Sequence, residues 1–108
     1  MKLNDYQQAA LSSAIYPHDN DIPYLALAIS GEAGEIADKV KKIIRDKQGK
    51  FFQPDIQAIA YELGDVMWYV ATLAHVLGFK LSDIAQMNID KINSRIARNA
   101  LHGEGDNR

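Results

Sequence analysis

Apolar residues recur every three or four positions through most of the chain, which is the spacing of one face of an α-helix. The pattern predicts four helices, at about residues 3–15, 23–46, 54–77 and 82–96. No run of alternating apolar and polar residues is long enough to predict a strand. We therefore expect an all-α protein that resembles a four-helix bundle.

Turn-forming residues separate the predicted helices. Residues 16–23 are rich in proline, asparagine and aspartate, and residues 46–54 contain Gly49 and Pro54, so both segments are predicted connections. Pro23 and Pro54 suit the first turn of a helix, where the missing N–H would have no partner in any case. The polar positions of the first helix are expected to face water or a partner: Gln7, Gln8 and Ser12.

The third predicted helix carries two stripes of side chains, one almost wholly apolar and one mixed. The apolar stripe comprises Ile56, Ile59, Leu63, Val66, Val70, Leu73 and Leu77. The mixed stripe comprises Ala58, Glu62, Asp65, Tyr69, Thr72 and Val76. Two such stripes present more surface than three neighbours in so small a chain readily cover, so we expect a homo-oligomer, either a dimer or a tetramer.

Length, composition and charge exclude several classes of function. A chain of 108 residues has room for one core, so residues 1–108 are predicted to form a single domain. The formal charge of -2 gives no basic field, so a nucleic-acid polymer is not an expected partner. The absence of cysteine excludes disulfides, thiol catalysis and thiolate zinc sites. No apolar run could span a membrane or serve as a signal-peptide core, so we expect a cytoplasmic protein without a membrane partner.

Two acidic pairs stand out against this ordinary composition. Glu32 and Glu35 are three apart in the second predicted helix, and Glu62 and Asp65 are three apart in the third. Residues with this spacing lie on one helical face, and antiparallel packing would bring four carboxylates together. Because their charges repel, a positive partner is required, and a hard divalent cation such as Mg²⁺ suits an all-oxygen set.

The alternative interpretation is a solvated acidic face. Glu35 and Lys39 have the i, i+4 spacing of an exposed helical ion pair, which favours this alternative. Two features favour the metal site. Glu32 interrupts an apolar stripe, and Gly31 and Gly34 within the same helix indicate the close approach of another helix or a ligand.

The segments LAISGEAGEIADKVKKIIRD and YELGDVMWYVATLAHVLG resemble the MazG-like branch of the all-α nucleoside triphosphate pyrophosphohydrolases. The motif of that family is Glu-x-x-Glu followed, after an intervening stretch, by Glu-x-x-Asp. The resemblance covers nearly the whole chain. One departure is Gly31, which stands where many members have a further glutamate, so an additional carboxylate of those members is missing here.

The resemblance implies hydrolysis of a nucleoside triphosphate between its α and β phosphates, giving a monophosphate and pyrophosphate in a house-cleaning role. It implies Mg²⁺ as the cofactor, with Mn²⁺ able to substitute. The implied metal ligands are Glu32, Glu35, Glu62 and Asp65. Glu32 or Glu35 would also act catalytically, as the general base that takes a proton from the attacking water.

The expected substrate-binding residues lie on the third and fourth helices. Tyr69 follows Asp65 by one turn and could stack on a sugar or base. Asn88, Lys91 and Arg95 form one polar stripe, and the resemblance places an Asn-x-x-Lys pattern near the substrate; a solvated face is the alternative. Trp68 is assigned to the core or an interface. The tail residues Gly103, Gly105, Asp106 and Arg108 resemble a family feature that would close over a site in the same or a neighbouring subunit.

Two other classes of function stay open at this stage. The chain could be a noncatalytic helical interaction module whose acids form a solvated face. It could also be a nucleotide-sensing protein that keeps the site but turns over poorly. His18, His75 and His102 are scattered and are not expected to form a common site.

Overall fold

A computed structural model describes residues 1–99, 103, 105 and 106 of the chain. It contains four α-helices, α1 (Leu3–Leu11), α2 (Asp21–Lys47), α3 (Gln53–Val76) and α4 (Leu81–Ala97), with a single 3₁₀ turn (His18–Asn20) before α2. No strand occurs among the described residues, which confirms the all-α prediction. Within the same residues, no helix combines the length and the apolar character needed to cross a membrane.

The two long helices α2 and α3 form an antiparallel hairpin that sets the length of the molecule. A helix of 27 residues is about 40 Å long, which accounts for the 42 Å extent of the chain. Lys47 Nζ lies 2.6 Å from an Asp55 carboxylate oxygen at the connection, and Lys39 Nζ lies 3.5 Å from Glu62 Oε1 further along. The hairpin therefore places the middle of α2 opposite the middle of α3, where the two acidic pairs are located.

The connection between these helices follows its predicted chemistry. Gln48 and Gly49 both adopt the left-handed conformation, with φ of 54° and 73°, which ends α2 and turns the chain. Pro54 lies in the first turn of α3, as predicted, and the Asp55 carboxylate accepts the Phe52 backbone N–H at 3.0 Å. This bond satisfies one of the backbone donors that the start of a helix leaves unpaired.

The short helix α1 is fastened to the far end of the hairpin by a buried glutamine. Gln7 is 3% exposed; its Nε2 donates to the carbonyls of Ala71 (3.0 Å) and Phe79 (3.1 Å), and its Oε1 accepts the Leu81 N–H (3.0 Å). The expectation that Gln7 faces water or a partner is therefore wrong. A buried amide with both ends bonded contributes specific positioning, and here it joins α1, α3 and the start of α4.

Helix α1 ends at Leu11, four residues before the predicted end at residue 15. Ser12 Oγ donates to the Ala9 carbonyl at 2.6 Å, and Ser13 Oγ donates to the Ala10 carbonyl at 3.0 Å. Serine hydroxyls compete in this way for the carbonyls that would continue a helix. The early end frees residues 12–17 to pass beside α3, which positions Ser13 and Tyr16 near the site described below.

A small cluster of buried apolar residues lies at the end of the hairpin that α1 covers. Ala10, Ala71 and Leu81 form it, with Trp68 among the partly buried residues packed against it. The apolar stripe of α3 is covered only in part. Its three most exposed members are 47–56% exposed, and the other four are half-buried: Ile56, Leu63 and Leu77 are exposed, and Ile59, Val66, Val70 and Leu73 are half-buried. The mixed stripe is covered more fully: Thr72 is fully buried, and Asp65 is the one member that is exposed.

The glycines of α2 also lie on an open surface. No described atom outside the local backbone lies within 4 Å of a Cβ built on Gly31 or Gly34. The expected close approach of another helix is therefore absent within the described chain. The open face leaves room for a ligand or for another protein chain.

Candidate metal centre and substrate cavity

Three of the four predicted acidic ligands converge where α2 faces α3. One carboxylate oxygen from each of Glu32, Glu62 and Asp65 lies within 4.8 Å of the others. The antiparallel hairpin brings Glu32 across to the Glu62–Asp65 pair, and the i, i+3 spacing keeps that pair on one face of α3. Helical spacing predicted that four carboxylates would meet, and the structure brings three of them together.

The surroundings of this acidic cluster disfavour uncompensated charge. Burial raises the pKa of Glu32 above its ordinary value, and the charges of Asp65, Glu62 and Glu35 raise it further. Lys39 supplies one nearby positive charge through its 3.5 Å contact with Glu62, whose side chain is only 17% exposed. One lysine against three carboxylates leaves a net negative site, which a divalent cation would neutralise.

Glu35 lies outside the group of three converging oxygens. Its side chain is exposed, although its charge is close enough to raise the pKa of Glu32. Three residues advance a helix by about 300°, so Glu35 is rotated about 60° from the direction of Glu32. Its carboxylate is not among the three oxygens that meet within 4.8 Å, so it is less committed to a shared ligand.

The chemistry of the donor set fits a hard divalent cation. All three converging ligands offer carboxylate oxygens, the ligand type that Mg²⁺ takes, while none offers the nitrogen or sulfur preferred by softer metals. Three protein ligands also leave coordination positions for water or for a substrate phosphate. Glu32, Glu62 and Asp65 would therefore hold the ion, with Glu35 at the edge of the site.

A cavity of about 370 Å³ adjoins the acids and is lined by aromatic rings. Its lining consists of Ser13, Glu32, Asp65, Trp68 and Tyr69. The rings of Trp68 and Tyr69 meet edge to face at 5.0 Å, and the Trp68 Nε1–H donates to Ser13 Oγ at 3.1 Å. Burial raises the pKa of the Tyr69 hydroxyl, with further contributions from Tyr24, Glu32 and Asp65. Tyr69 therefore lies beside the acids, where it was expected.

Trp68 is the residue that sequence reasoning missed. It was assigned to the core or an interface, and it does pack against the core, but it also lines the cavity beside the acids. The loop before α2 completes the aromatic surroundings, because Tyr16 lies edge-on to Trp68 at 6.5 Å and stacks on Tyr24 at 5.9 Å. Helical spacing did not indicate this cluster, because the position of Tyr16 depends on the early end of α1.

The polar stripe of α4 lies apart from the acidic cluster within one chain. Asn88 and Lys91 line a separate cavity of about 270 Å³, together with Ile84 and Met87. Arg95 is buried, and its guanidinium contacts Gly105 and Asp106. Among the described residues, the Cα atoms of α4 approach those of α1 and α3 within 8 Å, but not those of α2. The three expected substrate-binding residues of α4 therefore share a helix face without lining the cavity of the acids.

The tail and the histidines complete the set of predicted residues. Asp106 returns to α4, and its contacts with Lys91 and Arg95 are described below, whereas Arg108 and His102 lie outside the described residues. His18 and His75, which were not expected to share a site, both line a further cavity of about 470 Å³ beside Tyr16. The spacing of His18 and His75 in the sequence does not indicate that the loop brings them together.

Comparisons with known proteins found a family and a relative that resemble the chain. The profile of the MazG nucleotide pyrophosphohydrolase domain matches residues 22–98, a range that contains all four acids and the polar stripe of α4. The chain is also similar to the protein named Gene 37 protein of Mycobacterium phage L5, with 47% identity over 114 aligned positions that cover the whole of both chains. No solved structure matches the chain.

Proposed function

The chain belongs to the MazG nucleotide pyrophosphohydrolase family, and from this premise we propose that it hydrolyses nucleoside triphosphates, of the ribo or the deoxyribo series, to a nucleoside monophosphate and pyrophosphate. The observation that carries the proposal is the convergence of Glu32, Glu62 and Asp65 at the edge of a cavity lined by aromatic rings. Acids and rings together suit a ligand with a charged phosphate chain at one end and a flat base at the other.

We propose Mg²⁺ as the cofactor, with Mn²⁺ able to substitute. Bound to these carboxylates, the ion would offset the phosphate charge and favour the departure of pyrophosphate. The residues of the chain have three tasks in this proposal. Glu32, Glu62 and Asp65 hold the ion, Glu35 accepts the proton of the attacking water, and Lys39 stands beside Glu62 to offset remaining negative charge.

Glu35 is our preferred general base over Glu32. A carboxylate shared with a cation is a poor proton acceptor, and Glu35 is the one member of the four that stays outside the converging group. In the reaction, the water oxygen bonds to the α-phosphorus, the bond to the oxygen bridging the α and β phosphates breaks, and the proton moves to the carboxylate. The leaving group is then pyrophosphate.

We propose that the nucleoside binds in the aromatic cavity. Tyr69 and Trp68 line it directly, and a base stacked on such rings is stabilised by about 1–3 kcal/mol. Ser13 adds a hydroxyl at the wall of the same cavity. Every base can stack on an aromatic ring, so these residues support nucleoside triphosphates as a class of substrate without indicating which base is preferred. A panel of nucleoside triphosphates would identify the preferred base.

We further propose that the protein acts as a homo-oligomer, a dimer or a tetramer. The apolar face of α3, formed by Ile56, Leu63 and Met67, is 43–56% exposed, and Leu27 on α2 is 74% exposed. A second copy of the chain would cover these faces and enlarge a core that is small in the single chain. Oligomerisation would also allow Asn88, Lys91 and Arg95 to bind the substrate, because α4 of a neighbouring copy could supply them to the site.

Subunit complementation tests this sharing of residues. Glu62→Gln removes an acid and Lys91→Gln removes a cation, and each homo-oligomer should have little activity. If one copy supplies the acids and another supplies α4, mixing the two variants with subunit exchange should restore part of the activity. Failure to restore any activity in demonstrated hetero-oligomers would contradict shared sites while leaving the hydrolase proposal intact.

The whole of residues 1–108 is proposed to work as one domain. Helix α1 precedes the range matched by the family, yet its Gln7 and Asn4 bond to α3 and α4. We also expect the protein to act in the cytoplasm, where nucleoside triphosphates are made and used, as an enzyme that removes surplus or noncanonical nucleotides.

The principal test is a panel of ribo- and deoxynucleoside triphosphates incubated with the purified protein and Mg²⁺, with pyrophosphate as the readout. We expect pyrophosphate release that EDTA abolishes and that Asp65→Asn lowers by at least a hundredfold. Asp46→Asn, which removes an exposed acid elsewhere on α2, is the matched control and should leave the rate unchanged. Mg²⁺ binding without turnover of any nucleotide would favour the sensing alternative instead.

A further inference from the structure

The tail of the chain places a carboxylate on two cations of α4. Asp106 Oδ1 lies 3.3 Å from Lys91 Nζ and 3.3 Å from Arg95 Nη2. The same Arg95 nitrogen also donates to the carbonyl oxygens of Asp106 (3.1 Å) and Gly105 (3.4 Å). Three oxygen atoms of residues 105 and 106 therefore contact one nitrogen of the guanidinium.

The two ends of this contact differ greatly in exposure. The Arg95 side chain is 7% exposed, whereas the Asp106 side chain is 83% exposed. Removing a guanidinium from water is expensive unless an anion accompanies it. A fixed, buried cation thus receives its anion from a carboxylate that itself remains almost wholly in solvent.

The Asp106 carboxylate does not provide all the hydrogen bonds that Lys91 and Arg95 can make. Contacts of 3.3 Å are longer than the 2.7–2.9 Å usual for charge-assisted bonds between nitrogen and oxygen. Arg95 Nε is buried and has no hydrogen-bond partner among the described residues. A phosphate group carries more charge and three terminal oxygens, so it could reach both Nε and Nη2 of the guanidinium as well as Lys91.

We propose that Asp106 occupies a phosphate-binding site formed by Lys91 and Arg95, and that a polyphosphate chain displaces it on binding. The inference rests on the proposed function in so far as a nucleoside triphosphate is the natural source of that chain. Asp106 then competes with phosphate for the two cations. The apparent affinity for phosphate is the intrinsic affinity multiplied by the fraction of molecules in which the tail is free. The lowered pKa of Asp106, caused first by Lys91 and then by Arg95, keeps the competing carboxylate ionised.

Binding of tripolyphosphate in EDTA, followed by isothermal calorimetry, tests the competition without metal or turnover. Asp106→Asn should bind tripolyphosphate about three- to tenfold more tightly than the unmodified chain, since an amide competes weakly for the two cations. Asp90→Asn is the matched control, because Asp90 is an exposed acid of α4 that accepts a bond from Gln86. It removes the same charge without freeing Lys91 or Arg95 and should leave the affinity unchanged.

A second measurement reports the tail directly. The chain has no cysteine, so Gly103→Cys provides a unique position for a spin label. Tripolyphosphate should increase the mobility of this label in the otherwise unmodified chain, and Asp106→Asn should give a mobile label from the start. An unchanged label at saturating tripolyphosphate would overturn the displacement.

The results separate this inference from the proposed function. Unchanged or weaker tripolyphosphate binding in Asp106→Asn overturns the competition, even if the protein hydrolyses triphosphates, and weaker binding would make Asp106 a positioning residue for the cations. No detectable binding in either form also overturns it. Tighter binding in Asp106→Asn supports the inference, even if no nucleotide is hydrolysed and the proposed function fails.

Discussion

Neutralising Glu32 should stabilise the metal-free protein while weakening its response to Mg²⁺. Glu32 has two carboxylate neighbours, Glu62 and Asp65, with oxygens within 4.8 Å. Two unit charges at 4.8 Å repel by about 0.9 kcal/mol in bulk water and by ~3.5 kcal/mol at an effective dielectric constant of 20. Because the cluster opens to solvent, the lower figure applies, and Glu32→Gln should raise the free energy of unfolding by about 1–2 kcal/mol.

The pH dependence has a defined sign. The pKa of Glu32 is raised in the folded protein, first by burial and then by its acidic neighbours. Stability linked to this group is therefore fully present below its ordinary pKa of 4.5 and is lost as the pH rises through the raised value. The metal-free protein should lose stability over this interval, and Glu32→Gln should remove most of that loss.

Thermal unfolding in EDTA and in saturating Mg²⁺ measures both effects. In EDTA at pH 7, Glu32→Gln should raise Tm by about 5–10 °C, since 1 kcal/mol shifts a chain of this size by about 4–8 °C. Mg²⁺ at a hundredfold excess over its Kd should stabilise the unmodified chain by ~2.7 kcal/mol and the variant by much less. Asp46→Asn controls for the loss of one charge. An unchanged or lower Tm in EDTA, with a full Mg²⁺ response, would refute the acidic cluster as a metal site.

Three further predictions concern the elements that support the site. Gln7→Leu should lower the free energy of unfolding by about 2–4 kcal/mol, because it strips buried backbone groups of their partners, whereas Gln8→Ala should change it by less than ~0.5 kcal/mol in urea titrations. Trp68→Leu should raise KM for the best deoxynucleoside triphosphate at least about fivefold with a smaller change in kcat, as loss of a stacking ring predicts; an unchanged KM would place the base elsewhere. The pKa of Asp55 is lowered first by its bond to Lys47 and then by the Phe52 N–H. The stability that Asp55 provides is therefore present above its ordinary pKa of 3.8 and is lost as the pH falls through the lowered pKa. Asp55→Ala should therefore lower Tm at neutral pH and converge with the unmodified chain in acid; an equal difference at all pH values would contradict the ion pair.

Helical periodicity predicted the four helices, and the antiparallel packing under which the acids would meet is the packing of α2 on α3. Steps of three and four determine which side chains share a face, and a short polar connection requires antiparallel neighbours. The acids that face each other across the hairpin, Glu32 with Glu62 and Asp65, follow from these two facts alone. Glu35 lies outside the group although its spacing from Glu32 equals that of Asp65 from Glu62, so spacing alone does not separate it from the other three acids.

Features that depend on the path of loops could not be predicted from spacing. Ser12 and Ser13 end α1 through local hydrogen bonds, which brings Tyr16 beside Trp68 and forms the aromatic cavity. The burial of Gln7 likewise depends on backbone groups of α3 and α4 that lie far away in sequence. Periodicity also could not decide which stripe of α3 is covered more fully, because an apolar stripe is equally suited to a core and to an interface.

The position of an oxygen isotope tests the central claim most directly. Hydrolysis of a deoxynucleoside triphosphate in H₂¹⁸O with Mg²⁺, followed by mass spectrometry of the products, identifies the phosphorus that water attacks. We predict that ¹⁸O enters the nucleoside monophosphate and is absent from an equimolar amount of pyrophosphate, and that Glu62→Gln and Asp65→Asn abolish both products. Label in pyrophosphate or orthophosphate, or turnover that persists without these acids, would contradict it.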